Sequence, residues 1–106
     1  MPRESFSGHL DLLLLAALRG GPLHGYAIGE HIRRLSGGRF DYADGTLYPA
    51  LNRLEGGGLL TSRWVDLNGR RRRVYELTRK GQRAFAGRQR EWERHAGGIA
   101  AVLERS

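Results

Sequence analysis

Cysteine is absent from the 106 residues, which excludes a disulfide framework, a thiol nucleophile and a cysteine zinc site. Long apolar runs are missing as well. The longest, Leu12 to Leu18, has seven residues against the ~20 needed to cross a bilayer. It follows Glu4 and Asp11 with no small-residue cleavage site behind it, so it reads as a buried helix and not as a signal-peptide core. The expectation is a soluble cytoplasmic protein. No paired carboxylates, Ser/His/Asp arrangement or glycine-rich phosphate loop is present, because Gly56-Gly57-Gly58 follows a helical pattern instead of opening one. His9, His24, His31 and His95 show no i, i+4 pairing, so no metal, cofactor or catalytic residue is expected.

Lysine is nearly absent too: Lys80 is the only one among 18 basic residues. The net charge is +7 and lies unevenly along the chain. Residues 1–53 carry six bases and five acids, whereas residues 54–106 carry twelve bases and six acids. Arg63 to Arg90 alone holds ten bases against Asp66 and Glu76. Such density meets phosphate, an anionic membrane surface or plain solvent, and nucleic acid is the first expectation. The arginine excess suits phosphate recognition through a planar fork, although a base-composition bias of the source genome gives the same excess. A chain of this length buries a modest core, and pairing with a second copy is the usual remedy.

Leu10, Leu13, Leu14, Ala17 and Leu18 recur at helical spacing, with Ser7 as the cap and Gly20-Gly21-Pro22 as the stop. Leu12 and Leu15 make this helix apolar nearly all round, so it is expected to touch its own domain and a neighbour. A second helix is predicted from about His24 to Leu35, ending at Ser36-Gly37-Gly38. A third has Leu47, Leu51 and Leu54 on its stripe, with Asp44 or Thr46 as N-cap so that Pro49 falls near the first turn. Asn68-Gly69 between two strand-like runs predicts a type I′ hairpin. Its two-residue loop sets Leu60 opposite Leu77, Ser62 opposite Tyr75, Trp64 opposite Arg73 and Asp66 opposite Arg71. From Thr78 onward, Phe85, Gln89, Trp92, Ala96, Ile99 and Leu103 alternate by four and three residues, the seam of a helix pairing with a partner. Gly97-Gly98 is expected to interrupt it, at about 1 kcal/mol each.

Three helices, a hairpin and a long helix make a mainly α fold with a small β-hairpin. This is the order of a winged helix-turn-helix (1–78) followed by a C-terminal dimerisation helix (79–106). The residues also resemble the PadR-like transcriptional regulators, specifically short members with a single C-terminal helix. The likeness runs through His24-Gly25-Tyr26-Ala27-Ile28, Gly45-Thr46-Leu47-Tyr48-Pro49-Ala50-Leu51, Arg53-Leu54-Glu55, Gly58-Leu59, Tyr75-Glu76-Leu77-Thr78, Gly81 and Trp92. Ala27 and Glu76 depart from it, standing where many relatives carry a charged or basic side chain. The resemblance implies a dimeric, usually repressing protein that binds double-stranded DNA at a near-palindromic operator. It also implies that Trp92 of each subunit lines a pocket for a flat aromatic effector.

The candidate reading residues are Thr46, Tyr48, Pro49, Asn52 and Arg53 on the third helix. Tyr48 and Pro49 have an alternative role in shaping the helix start, and Asn52 and Arg53 one as a solvated face. Tyr26 either offers its hydroxyl to a phosphate or packs against the third helix. The wing candidates are Asn68, Gly69, Arg70, Arg71, Arg72 and Arg73, with Arg73 also within reach of Trp64. Phe85, Trp92, Ala96, Ile99 and Leu103 are the dimerisation candidates. A winged-helix module that binds an acidic protein is the competing reading.

Overall fold

The apolar run lies in α1 (Pro2–Ala17) up to Ala17, with Leu18 in the turn after it, in the computed structural model, which describes residues 2–106 and the side chains from residue 9 onward. The helix begins upstream of Ser7, which is therefore inside it and not at its cap; the Ser7 side chain lies outside the described residues. Leu10, Leu14, Leu15 and Leu18 are buried, while Leu12, Leu13 and Ala16 are half-buried on another side. The buried side packs into the chain's own core, and the half-buried side packs against its margin with part of its apolar surface still open.

A two-residue strand, β1 (Leu23–His24), precedes α2 (Gly25–Leu35). A strand this short has no alternation to read, and its pairing with distant residues is what reveals it. His24 is at once a strand residue and the N-cap of α2, its Nδ1 accepting the Ala27 N–H at 3.3 Å. Gly37 and Gly38, both at positive φ, end the helix through Gly38 N–H donating to the Arg33 carbonyl at 2.8 Å.

α3 (Asp44–Gly56) starts one residue earlier than a cap at Asp44 allows and three earlier than a cap at Thr46 allows. Ala43 is the N-cap and offers only its backbone carbonyl, to the N–H groups of Thr46 and Leu47, both at 2.9 Å. Asp44 is instead the first helical residue, where its charge suits the positive end of the helix. Pro49 therefore stands in the second turn, inside the helix, and leaves the Gly45 carbonyl without its usual donor. Both residues are exposed, so water can satisfy that carbonyl. Leu47, Ala50, Leu51 and Leu54 form the buried stripe.

β2 (Leu60–Leu67) and β3 (Arg70–Leu77) pair antiparallel in the predicted register, including Leu60 with Leu77, Trp64 with Arg73 and Asp66 with Arg71. Asn68 and Gly69 take φ of 51° and 79°, the conformation that a type I′ turn demands. β1 adds to the other edge of β3 through Leu23–Tyr75 and His24–Val74, completing a three-stranded sheet in the order β1-β3-β2.

α4 (Arg79–Arg105) has 27 residues, about 40 Å of helix. Thr78 caps it by accepting the Gly81 N–H at 2.9 Å and donating its hydroxyl to the Gly58 carbonyl at 2.6 Å. A side chain at Gly81 would overlap the Leu59 carbonyl oxygen, so glycine lets the helix start against the wing's base. Two expectations fail in α4. The helix runs unbroken through Gly97-Gly98, because elongation gains a hydrogen bond per residue once the helix is nucleated. Phe85, assigned to the partner seam, is 8% exposed and belongs to the chain's own core, with the Arg19 guanidinium 4.8 Å from its ring centre.

Candidate nucleic-acid interface

Four buried residues point one face of α3 inward, and the 100° step per residue then fixes what faces out. Opposite the stripe stand Gly45, Pro49, Asn52 and Gly56, flanked by Thr46; all five are exposed. Their side chains are short, so the helix axis can approach another surface closely. Thr46 and Asn52 bring hydrogen-bonding groups to that face.

Tyr48 and Arg53 stand elsewhere. Tyr48 is half-buried with its ring against Gly25, where a Cβ would overlap the ring. It braces α3 on α2, the packing role that had been open to Tyr26. Tyr26 itself is 60% exposed and lies beside His24, its hydroxyl 3.3 Å from Glu30 Oε2. The burial alternative for Tyr26 is thereby overturned.

Arg53 is held by Asp11 of α1. Its two terminal nitrogens donate to the two carboxylate oxygens, both at 2.9 Å, and Arg88 of α4 adds a third donor at 3.3 Å. The guanidinium is therefore engaged within the chain through two of its donors, while the side chain as a whole stays 54% exposed. Asp11 is the residue that sequence reasoning passed over. A lone acid in a leucine run suggests burial with a partner, but its partners lie 42 and 77 positions away.

The four wing arginines divide by strand alternation. Arg71 and Arg73 share the Trp64 face, their guanidinium carbons 5.0 and 5.2 Å from the indole centre. Arg73 also faces Glu55 at the end of α3, at 3.9 Å, and Ser62 donates to the same carboxylate at 2.7 Å. Arg73 therefore braces wing to helix. Among the described residues, Arg70, Arg71 and Arg72 have no carboxylate within ion-pair distance. Asn68 and Gly69 form the turn that carries them. Glu76 is balanced by Arg63 at 3.3 Å.

Burial, and then the nearby Arg72 charge, push the His24 imidazole below its usual pKa. A histidine depressed in the folded state binds its proton more readily when unfolded. The associated stability is full above the unfolded value near 6.5 and is lost as pH falls through the window below it. Melting temperature is expected to drop between pH 7.5 and 5.5, and the His24→Asn variant, which caps without titrating, should drop less. Equal slopes in the two proteins would exclude His24 as the cause.

On the far side of the domain, α1 and α4 leave an apolar groove of about 360 Å³ lined by Leu12, Leu13, Ala16, Phe40, Phe85 and Trp92. Trp92 is 46% exposed, and Ile99, Val102 and Leu103 continue the apolar strip along α4. Ala96 is half-buried within it. No helix among the described residues is long and apolar enough to cross a membrane.

The model of the transcriptional regulator PadR-like family matches residues 14–87. The transcriptional regulator Rv3488 of Mycobacterium tuberculosis is 42% identical over 91 residues, covering 86% of this chain and 82% of that protein. An uncharacterized 37.1 kDa protein in transposon Tn4556 of Streptomyces fradiae is 47% identical over 62 residues, 58% of this chain, which corresponds to only 17% of its own length. A transcriptional regulator structure from Clostridium thermocellum superposes with a TM-score of 0.84 at 28% identity, covering 92% of this chain and 96% of that one. Bacillus subtilis PadR in complex with operator DNA superposes with a TM-score of 0.67 at 26% identity, over 74% of this chain and 45% of that one. With three helices, a wing and a terminal helix in the order described and a family match across most of that span, the chain belongs to the PadR-like transcriptional regulators and is not an enzyme.

Proposed function

We propose that this regulator acts as a homodimer that binds a near-palindromic DNA operator in the cytoplasm and represses the adjacent gene. The observation that carries the reading is the exposed, short-side-chain face of α3 at Thr46, Pro49 and Asn52 beside a wing with Arg70, Arg71 and Arg72 unpaired. α3 enters the major groove and reads base edges, while the wing arginines meet flanking phosphates or a narrow minor groove. That the B. subtilis neighbour was solved in complex with operator DNA supports DNA as the partner.

The partner helix covers the apolar strip of Trp92, Ile99 and Leu103, and places two α3 helices about one DNA turn apart, ~34 Å. The groove at Trp92 accommodates a small flat aromatic effector whose binding would alter that spacing. The 1–78 segment is the reading unit in this scheme and 79–106 the pairing helix, whose first turns are anchored in the reading unit's core by Gly81 and Phe85.

The test is selection of duplexes from a random-sequence pool, followed by anisotropy titrations at moderate salt against the selected duplex and a scrambled one. A preference of at least about 10³ is expected for the selected duplex. Sequence-blind, salt-sensitive retention alone would favour the protein-interaction reading instead.

A further inference from the structure

Asp11 is the one buried charged side chain among the described residues, 7% exposed, and it sits where three helices meet. It projects from α1, takes the Arg53 fork from α3 and receives Arg88 from α4. A carboxylate has about four acceptor positions, and three are filled here by charged donors. A bidentate fork fixes direction as well as distance. Arg53 adjoins Asn52 in sequence and follows Pro49 by four residues, so pinning its guanidinium pins the rotation of α3 about its own axis and hence the azimuth of the outward face. The apolar stripe alone constrains that rotation loosely, because Leu and Ala contacts are not directional. Base reading needs side chains held within about 0.5 Å and 10–20°.

We infer that Asp11 is a positioning residue for base recognition: through Arg53 it sets the rotational angle of α3, and through Arg88 it ties that angle to α4. The inference rests on the DNA-reading function proposed above. Arg53 acts through Asp11 in this arrangement, and a change in how α4 lies on α1 reaches the reading face through a single carboxylate. Leu47, Ala50, Leu51 and Leu54 pack α3 into the core apart from the joint.

The experiment uses the full chain, the duplex that the wild type selects from a random pool and a scrambled duplex of equal length. Asp11→Asn keeps the side-chain volume and removes the charge. Its affinity for the selected duplex is expected to fall about tenfold, the effect of one mismatched base pair, while affinity for the scrambled duplex stays within about twofold. Arg53→Lys, which retains charge and loses the fork, is expected to lower the same ratio. Arg88→Gln leaves the Asp11–Arg53 pair intact and is expected to lower it by a smaller factor, despite its position on α4. A purely structural role would instead lower the melting temperature and both affinities together, overturning the inference. An equal rise in both affinities for Asp11→Asn would overturn it too, since Arg53 would then be a phosphate contact set free. An unchanged ratio in all three variants has the same consequence. If Asp11→Asn fails to fold, Arg88→Gln and Arg53→Lys decide the matter. Failure of the wild type to select any sequence would strike the DNA-reading function itself, and is read before any variant is made.

Discussion

Arg70→Ala combined with Arg71→Ala is expected to weaken binding to every duplex and to flatten its salt dependence. Each phosphate contact contributes about 0.9 to the slope of log affinity against log salt. A dimer carries two copies of each arginine, so the slope should fall by about 3 to 4 if all four make contact, with affinity down on the order of a hundred- to a thousandfold at physiological salt. The reasoning rests on availability. Arg70 and Arg71 are exposed and have no carboxylate within ion-pair distance, and the Arg71 contact with Trp64 leaves the guanidinium edge open. Arg73→Ala is the internal control, because Arg73 is engaged by Trp64 and Glu55. It should cost stability through the loosened wing and leave the slope nearly unchanged. Titrations of both variants across a salt series check this; identical slopes for the double variant and the wild type would remove the wing from the DNA contact.

Ile99→Glu with Leu103→Glu is expected to convert the protein to a monomer and to reduce operator affinity by a factor of about 10² to 10⁴. Linking two reading heads makes the second contact intramolecular, and that advantage vanishes when the link is cut. Leu103 is 74% exposed and Ile99 49%, so neither supports the chain's own core and the variant should fold. Charge buried without a partner at a helix seam opposes pairing by several kcal/mol, enough to dominate a small interface. Sedimentation velocity reads the mass, and titration against a full and a half operator reads the coupling. A monomer that still bound the full operator with wild-type affinity would defeat the dimeric scheme. Trp92→Ala belongs in the same series: a variant that stayed fully dimeric and bound planar aromatic dyes normally would release Trp92 from both roles.

The hairpin was readable to the residue because its turn chemistry is local. Asn-Gly dictates the turn, and the turn dictates every pair along the two strands. The helical stripe of α3 was legible for a similar reason, since periodicity reports which side is buried; on α2 the spacing of Ile28, Ile32 and Leu35 held only for the two isoleucines, and Leu35 is 71% exposed. Legibility stopped where one side chain had two competing partners. Phe85 fits a seam pattern, yet Gly81 brings the start of α4 so close to the wing that the ring enters the intrachain core. Tyr26 was a candidate for packing against α3, yet the missing side chain at Gly25 gives that place to Tyr48, which the sequence offered only for DNA reading or for shaping the helix start. The cap of α3 was misplaced because Ala43 supplies only a backbone carbonyl, which leaves no side-chain signature.

The sequence by itself determined the element order, the wing with its register and arginine tip, the inward stripe of α3, and the exclusion of cysteine and membrane-span chemistry. These depend on contacts a few residues apart or on composition, and both are written along the chain. Only the tertiary structure decided which arginines have a carboxylate partner within the chain. The hairpin register already set Arg73 opposite Trp64, but Asp11 beside Arg53 and Glu55 beside Arg73 were not legible, because an ion pair between residues 42 or 18 positions apart has no local periodicity to announce it.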